Sequence, residues 1–114
     1  MAYDNTGNKY LRRVLEFGGD IGGALYILDT VDAIATVYGI GYITDGKAQG
    51  MRKGDIVIVR RWTTTLPVAE SELLTAAAGA NVLISVVIHF VIGIAATTGI
   101  PDLTDGIAIT ATNT

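Results

Sequence analysis

From Leu73 to Ile100 the chain runs for 28 residues without an aspartate, glutamate, lysine or arginine. A stretch so long and apolar either crosses a bilayer, for which a helix needs about 20 apolar residues, or is buried by protein. Its interior reads as a strand. Ile84, Val86, Ile88, Phe90, Ile92 and Ile94 alternate with positions that include Ser85, His89 and Gly93, the period of two that a pleated strand requires. Asn81, Ser85, His89, the threonines and the glycines at 79, 93 and 99 are poor lipid-facing choices, and no basic residue flanks the stretch. The strand reading is preferred, with the even-numbered side chains buried and the odd-numbered ones facing solvent or a second, tighter contact. A small membrane protein spanning residues 73–100 is the lower alternative.

Other strands frame this one. Ile56–Trp62 is rich in β-branched residues and follows a Gly54-Asp55 turn. Its run Ile56–Val59 is apolar on both faces, so it belongs inside a sandwich or between a sheet and a helix. Ala24–Leu28 forms a buried strand ending at Asp29-Thr30. Ile107 and Ile109 share one face of a last strand, joined to the long one as a hairpin through Thr97–Gly106. A short helix is predicted after Thr30 as N-cap, with Asp32 in its first turn, Ile34 and Val37 on one face and Gly39 as its stop. Residues 44–47 and 50–53 have turn chemistry, with Ala48 and Met51 able to pack on the core between them. Glu70–Gly79 holds a further helical turn. The first segment is polar and glycine-rich, ends in Gly18–Gly23, and reads as an arm or long loop. Within it, Tyr10, Leu11, Val14, Leu15 and Phe17 suit one short turn or strand. The expected fold is mainly β: a small antiparallel β-sandwich or barrel-like domain over residues 24–114, with one or two short helices and an extended N-terminal arm over residues 1–23.

The chemistry-bearing inventory is thin. Among 114 residues there is one histidine and no cysteine, so nothing in the sequence completes a transition-metal site or supplies a thiol nucleophile. His89 lies inside the apolar strand, where a core or interface histidine with a satisfied ring nitrogen is the plainer reading. The pairs Asp29/Asp32 and Glu70/Glu72 serve as turn or helix punctuation. Gly18–Gly23 lacks the spacing of a phosphate loop, and Asp102–Gly106 lacks the ligands of a calcium loop. No catalytic residue, cofactor or metal is assigned, and an enzyme is not expected. The opening Met-Ala-Tyr-Asp-Asn-Thr-Gly is not a secretory signal, and the mature chain is expected to begin there.

Charge points to assembly. Half of the residues are hydrophobic and only 17% are charged, short of the roughly 25% of an ordinary soluble domain. Residues 1–61 carry all eight basic side chains and seven acidic ones, whereas residues 62–114 carry only Glu70, Glu72, Asp102 and Asp105. Copies with such halves can meet head to tail, with charge supplying selectivity. Arg12-Arg13, Arg52-Lys53 and Arg60-Arg61 are isolated pairs separated by acids, so a nucleic-acid partner is not expected.

A resemblance gives this a form. Tyr26-Ile27-Leu28-Asp29-Thr30-Val31-Asp32, then Gly41-Tyr42-Ile43, then Lys53-Gly54-Asp55-Ile56 resemble a recurrent pattern in small virion proteins of tailed bacteriophages. Ile43 stands where that family usually has phenylalanine, and residues 73–100 have no matching segment. The resemblance implies a capsid decoration, cement or head-stabilising protein, or a related head-fibre protein. By implication it would be a homo-oligomer, a trimer, bound to the major capsid protein on the outer surface of the virion head. Its arm, with Tyr3, Tyr10, Arg12, Arg13 and Phe17, would contact the capsid. Ile84, Val86, Ile88, Phe90, Ile92 and Ile94 would form the oligomer core. The alternative is a head-fibre or tail-associated module that binds a host surface glycan through Tyr3, Tyr38, Tyr42 and Trp62, although core packing is the plainer role of Tyr38 and Tyr42.

Overall fold

A computed structural model describes residues 11–39, 42–63, 66, 73 and 83–110. Its elements in chain order are β1 (Leu11–Glu16), β2 (Ala24–Thr30), α1 (Ile34–Val37), β3 (Ile56–Trp62), β4 (Leu83–Ile94), β5 (Pro101–Leu103) and β6 (Ile107–Thr110). The fold is mainly β, as the sequence predicts. The strands form one six-stranded mixed sheet in the order β1-β2-β3-β4-β5, with β6 also paired to β4. A second sheet, which a sandwich would need, is not found among the described residues.

β1 and β2 form an antiparallel hairpin, and its turn closes where the Phe17 N–H donates to the Gly23 carbonyl at 2.9 Å. The expected boundary at residue 23 therefore falls between two paired strands. Among the described residues Leu11–Glu16 ends the sheet order, and residues 1–10 of the expected arm, Tyr3 and Tyr10 included, lie outside the described residues. β2 and β3 run parallel, which rules out a tight turn between them and requires a crossover. Residues 31–55 supply it, and the crossover places Val37, Ile43 and Met51 against one face of the sheet. There they meet Leu11, Ala24, Tyr26, Leu28, Val57, Val59, Val87, Val91 and Leu103 in a single core. Ala48 is exposed, so only Met51 of the expected pair packs inward.

The helix is shorter than predicted and starts later. Thr30 is the last residue of β2, paired with Arg61, and is not the N-cap. Its hydroxyl instead accepts the Asp32 N–H at 3.0 Å, a turn that hands the chain to α1. Strand pairing outcompetes the cap because the β2–β3 ladder continues through Asp29 and Thr30.

β4 is antiparallel to β3, and its other edge is shared end to end by β6, opposite Ser85–Ile88, and β5, opposite Val91–Ile94. Thr104 fills the gap: its N–H donates to the Phe90 carbonyl, and its hydroxyl accepts the Phe90 N–H at 3.0 Å. Gly106 follows at φ 88°, and a Cβ there would lie 2.6 Å from Cε1 of the buried His89 ring. That position requires glycine on both counts. The predicted hairpin between the last long strand and Ile107–Ile109 is thus present, with β5 inserted in its return. The helical turn expected within Glu70–Gly79 falls outside the described residues, apart from Leu73.

The alternation in β4 is real, but its assignment to faces is reversed from the sequence reading. Ser85, Val87, His89 and Val91 are the buried set, whereas Ile88, Phe90 and Ile92 are 43%, 52% and 46% exposed. A period of two shows that side chains alternate; which face is covered depends on the side taken by the 31–55 crossover, and it lies over the odd-numbered face. A register shift between Val91 and Gly93 then turns Ile94 back, and it packs against the core.

Candidate functional site

Strand pairing aligns the side chains of the sheet face opposite the core into rows. In one row Leu15 of β1 stands beside Leu25, Ile56 and Phe90. In the next, Arg12 stands beside Ile27, Ile58, Ile88 and Ile107, four isoleucines in register across β2, β3, β4 and β6. A third row runs Asp29, Arg60, Val86 and Ile109. Ile107 and Ile109 at the β6 end are 76% and 62% exposed. A soluble monomer rarely exposes an apolar patch beyond a few hundred Å². Among the described residues its β4 and β6 part is exposed and has the form of a contact surface, whereas Leu25, Ile27, Ile56, Ile58 and Val86 are half-buried.

One end of the face is polar and rigid. The Asp29 carboxylate, 3% exposed, accepts hydrogen bonds from Arg12 Nη2 at 2.7 Å, Arg60 Nε at 2.6 Å, Arg60 Nη2 at 2.9 Å and the Trp62 indole at 3.0 Å. The Arg60 guanidinium also lies 5.6 Å from the centre of the Trp62 ring. Burial by itself raises the Asp29 carboxyl's pKa, but hydrogen bonds from Arg60, Trp62 and Arg12 outweigh it and hold the group below the usual carboxylate range. Two guanidinium groups share the one Asp29 carboxylate. Asp102 and Asp105, both exposed, lie towards the opposite corner, beside a depression shared with Ile56, Ile88, Phe90 and Ile92.

The remaining arginine side chains near β1 brace the fold. Arg13 donates to Glu16, to the Tyr26 hydroxyl and to the Gln49 and Gly50 carbonyls, and Arg61 Nε donates to the Asp32 carbonyl at 2.9 Å. Of the residues expected to contact a capsid, Arg12 and Arg13 are thus tied into the sheet, while Phe17 is 46% exposed at the hairpin turn. Of the residues expected in an oligomer core, Val86, Ile88, Phe90 and Ile92 lie together on the open face, Ile84 is half-buried at its end, and Ile94 has turned inward. Ile27, Ile58, Ile107 and Ile109 belong with them. The two-sided apolar character of Ile56–Val59 and the Ile107/Ile109 alternation were their only signals in the sequence.

The aromatics considered for glycan binding are held in packing. Tyr38 and Tyr42 pack against the core, and Trp62 is 5% exposed with its indole on Asp29. The Tyr42 hydroxyl donates to Asp32 at 2.6 Å. Burial first, and then this bond, push the phenol's pKa above its ordinary range. Tyr3 lies outside the described residues. His89 is 1% exposed, and its Nδ1 is 2.7 Å from the Thr104 carbonyl, so the ring proton on Nδ1 donates there. Through Nδ1 it ties β4 to the β5–β6 connection, whereas its Nε2 is buried without a hydrogen-bond partner. Among the described residues no three histidine, aspartate or glutamate side chains are grouped to hold a metal, and no helix is long and apolar enough to cross a membrane. Comparison with protein-family models, curated proteins and solved structures finds no match to the chain.

Proposed function

We propose that this chain is a structural protein that acts by covering and joining protein surfaces: a capsid decoration protein of the tailed-phage type, bound to the major capsid protein on the outside of the virion head. The observation that carries the reading is the open apolar face, with its in-register row Ile27, Ile58, Ile88 and Ile107. Exposed isoleucines and a phenylalanine grouped on one sheet face suit a surface that another protein covers. β1 adds a second attachment element. It ends the sheet order, and Val14, Leu15 and Phe17 on and beside it are 51%, 56% and 46% exposed. The low charge of the chain and the pattern from Tyr26 to Ile56 agree with this role.

The test is co-sedimentation with undecorated heads assembled from the major capsid protein encoded alongside the chain. Saturable binding at symmetry-related positions, together with heads that melt at a higher temperature, is the expected result. Heads that neither bind the chain nor gain stability contradict it.

A further inference from the structure

Of the eight basic residues, Lys9 lies outside the described residues, and Arg12, Arg13, Arg60 and Arg61 are tied to carboxylates or carbonyls of the sheet and crossover. The other three, Lys47, Arg52 and Lys53, are exposed and line one cleft of about 560 Å³, whose apolar lining includes Met51, Ile92 and Ile94. Among the described residues no ion pair holds any of the three. Nearby carboxylates are engaged elsewhere. Asp55 accepts the Ala24 N–H at 3.1 Å and the Arg52 main-chain N–H at 2.9 Å, and Asp45 accepts the Gln49 amide at 3.0 Å. A Cβ at Gly22 would lie 3.1 Å from Arg52 Nη2, yet Asp20 of that turn forms no ion pair with it, nor does Asp102, opposite Gly93, pair with any of the three. The backbone holds the cleft in place: the Gly54 N–H donates to the Val91 carbonyl at 2.8 Å and the Lys47 N–H to the Gly99 carbonyl at 3.1 Å. The Lys47 stem lies over Gly99, where a Cβ would sit 2.7 Å from its own. In a chain of net charge −3, this is a fixed local concentration of positive charge, and a concave site focuses such a field on an anion.

We propose that this cleft receives an acidic segment of a partner protein, with carboxylates on Lys47, Arg52 and Lys53 and an apolar side chain against Met51, Ile92 and Ile94. Carboxylates accept charge-assisted hydrogen bonds from all three cations. The apolar lining gives a neighbouring side chain of the same segment somewhere to bury. A nucleic acid fits less well, because the three cations gather at one cleft instead of tracking a phosphate backbone, and no aromatic ring lines it for a base to stack on. Exposed ion pairs are individually weak, so the contact supplies selectivity and encounter rate more than strength. The inference rests on reading the chain as one that binds protein, but not on the identity of the shell. A chain that holds an acidic peptide and ignores heads removes the decoration role alone. Heads bound equally well by wild type and by a chain with glutamine at all three cations, without peptide binding, remove the cleft alone.

The experiment is fluorescence anisotropy at low salt with the full chain and a fluorescein-labelled peptide, Glu-Glu-Leu-Glu-Glu, against the same peptide with glutamine at each acidic position. The acidic peptide is expected to bind with a dissociation constant on the order of 100 μM. The glutamine peptide should bind at least about tenfold more weakly, and added salt should erase the difference. Lys53→Gln and Thr36→Glu, the latter at an exposed position of α1 that does not line the cleft, shift the net charge equally. Lys53→Gln is expected to weaken binding about fivefold and Thr36→Glu to leave it within about twofold, both with an unchanged far-ultraviolet spectrum. No binding of the acidic peptide at about 2 mM overturns the proposal. So does equal binding of the glutamine peptide, or a loss from Thr36→Glu as large as that from Lys53→Gln. A single-stranded oligothymidine or phosphatidylserine vesicles held more tightly than the peptide, and released by Lys53→Gln, give the cleft to a phosphate-bearing partner and overturn it as well.

Discussion

Replacing Asp29 by alanine isolates the polar hub at the end of the sheet. The substitution strands the Trp62 indole N–H in a side chain only 5% exposed, and a buried donor without a partner costs about 1–3 kcal/mol. The guanidinium groups of Arg12 and Arg60 lose their carboxylate too, but their side chains are 35% and 37% exposed. Water can replace most of what they lose, so each adds only about 0–1 kcal/mol. The sum centres near 3 kcal/mol. With an unfolding entropy of about 2.1 cal/mol/K per residue, a chain of 114 residues then melts roughly 12 °C lower. Thermal denaturation followed by circular dichroism reads this directly, at one fixed protein concentration because association stabilises the folded state. Asp20→Asn in the exposed hairpin turn is the control and should stay within about 0.5 kcal/mol of wild type. An Asp29→Ala protein melting within about 2 °C of wild type would refute the hub as a source of stability.

The same carboxylate gives a pH dependence. Its folded-state pKa is lowered from an unfolded value of about 3.9. Its contribution is therefore complete above roughly pH 5 and is lost as pH falls through the lowered folded value, so urea titrations should show a steeper acid decline in wild type than in Asp29→Asn. Leu28→Ala in the core should cost about 2–5 kcal/mol in the urea midpoint analysis, and a loss under 1 kcal/mol would mean that the site is not packed as described. Tyr26→Phe removes a hydroxyl that donates to the Gln49 carbonyl and accepts from Arg13; about 1–2 kcal/mol should be lost with no change in spectrum. Gly106→Ala forces a side chain into positive φ against His89 and should destabilise the protein by about 1–3 kcal/mol, measurable as a lower melting temperature.

Strand existence was legible in the sequence wherever β-branched residues were bounded by turn chemistry, as in Ile56–Trp62 after Gly54-Asp55 and in Leu83–Ile94. Three features were not. The inner face of β4 could not be assigned because both alternating sets hold large apolar residues, and only the 31–55 crossover decides between them. The parallel pairing of β2 with β3 is a consequence of that same crossover and leaves no local mark. The Asp29 hub gathers Arg12, Arg60 and Trp62 from 17, 31 and 33 residues away, beyond any spacing rule. The candidate surface was half visible: the β4 isoleucines stood out by periodicity, whereas their neighbours on β2, β3 and β6 became one surface only through register.

The central claim is that the open face is buried in the assembled protein. The chain has no cysteine, so a single Ile88→Cys on the face and a single Thr36→Cys on the exposed part of the crossover report solvent access without background. Their rates of reaction with a maleimide, measured with the chain free and bound to undecorated heads, test the claim most directly. The account predicts that position 88 slows by at least about tenfold on binding, while position 36 keeps its free rate. Unchanged rates at both positions in the two states would contradict it.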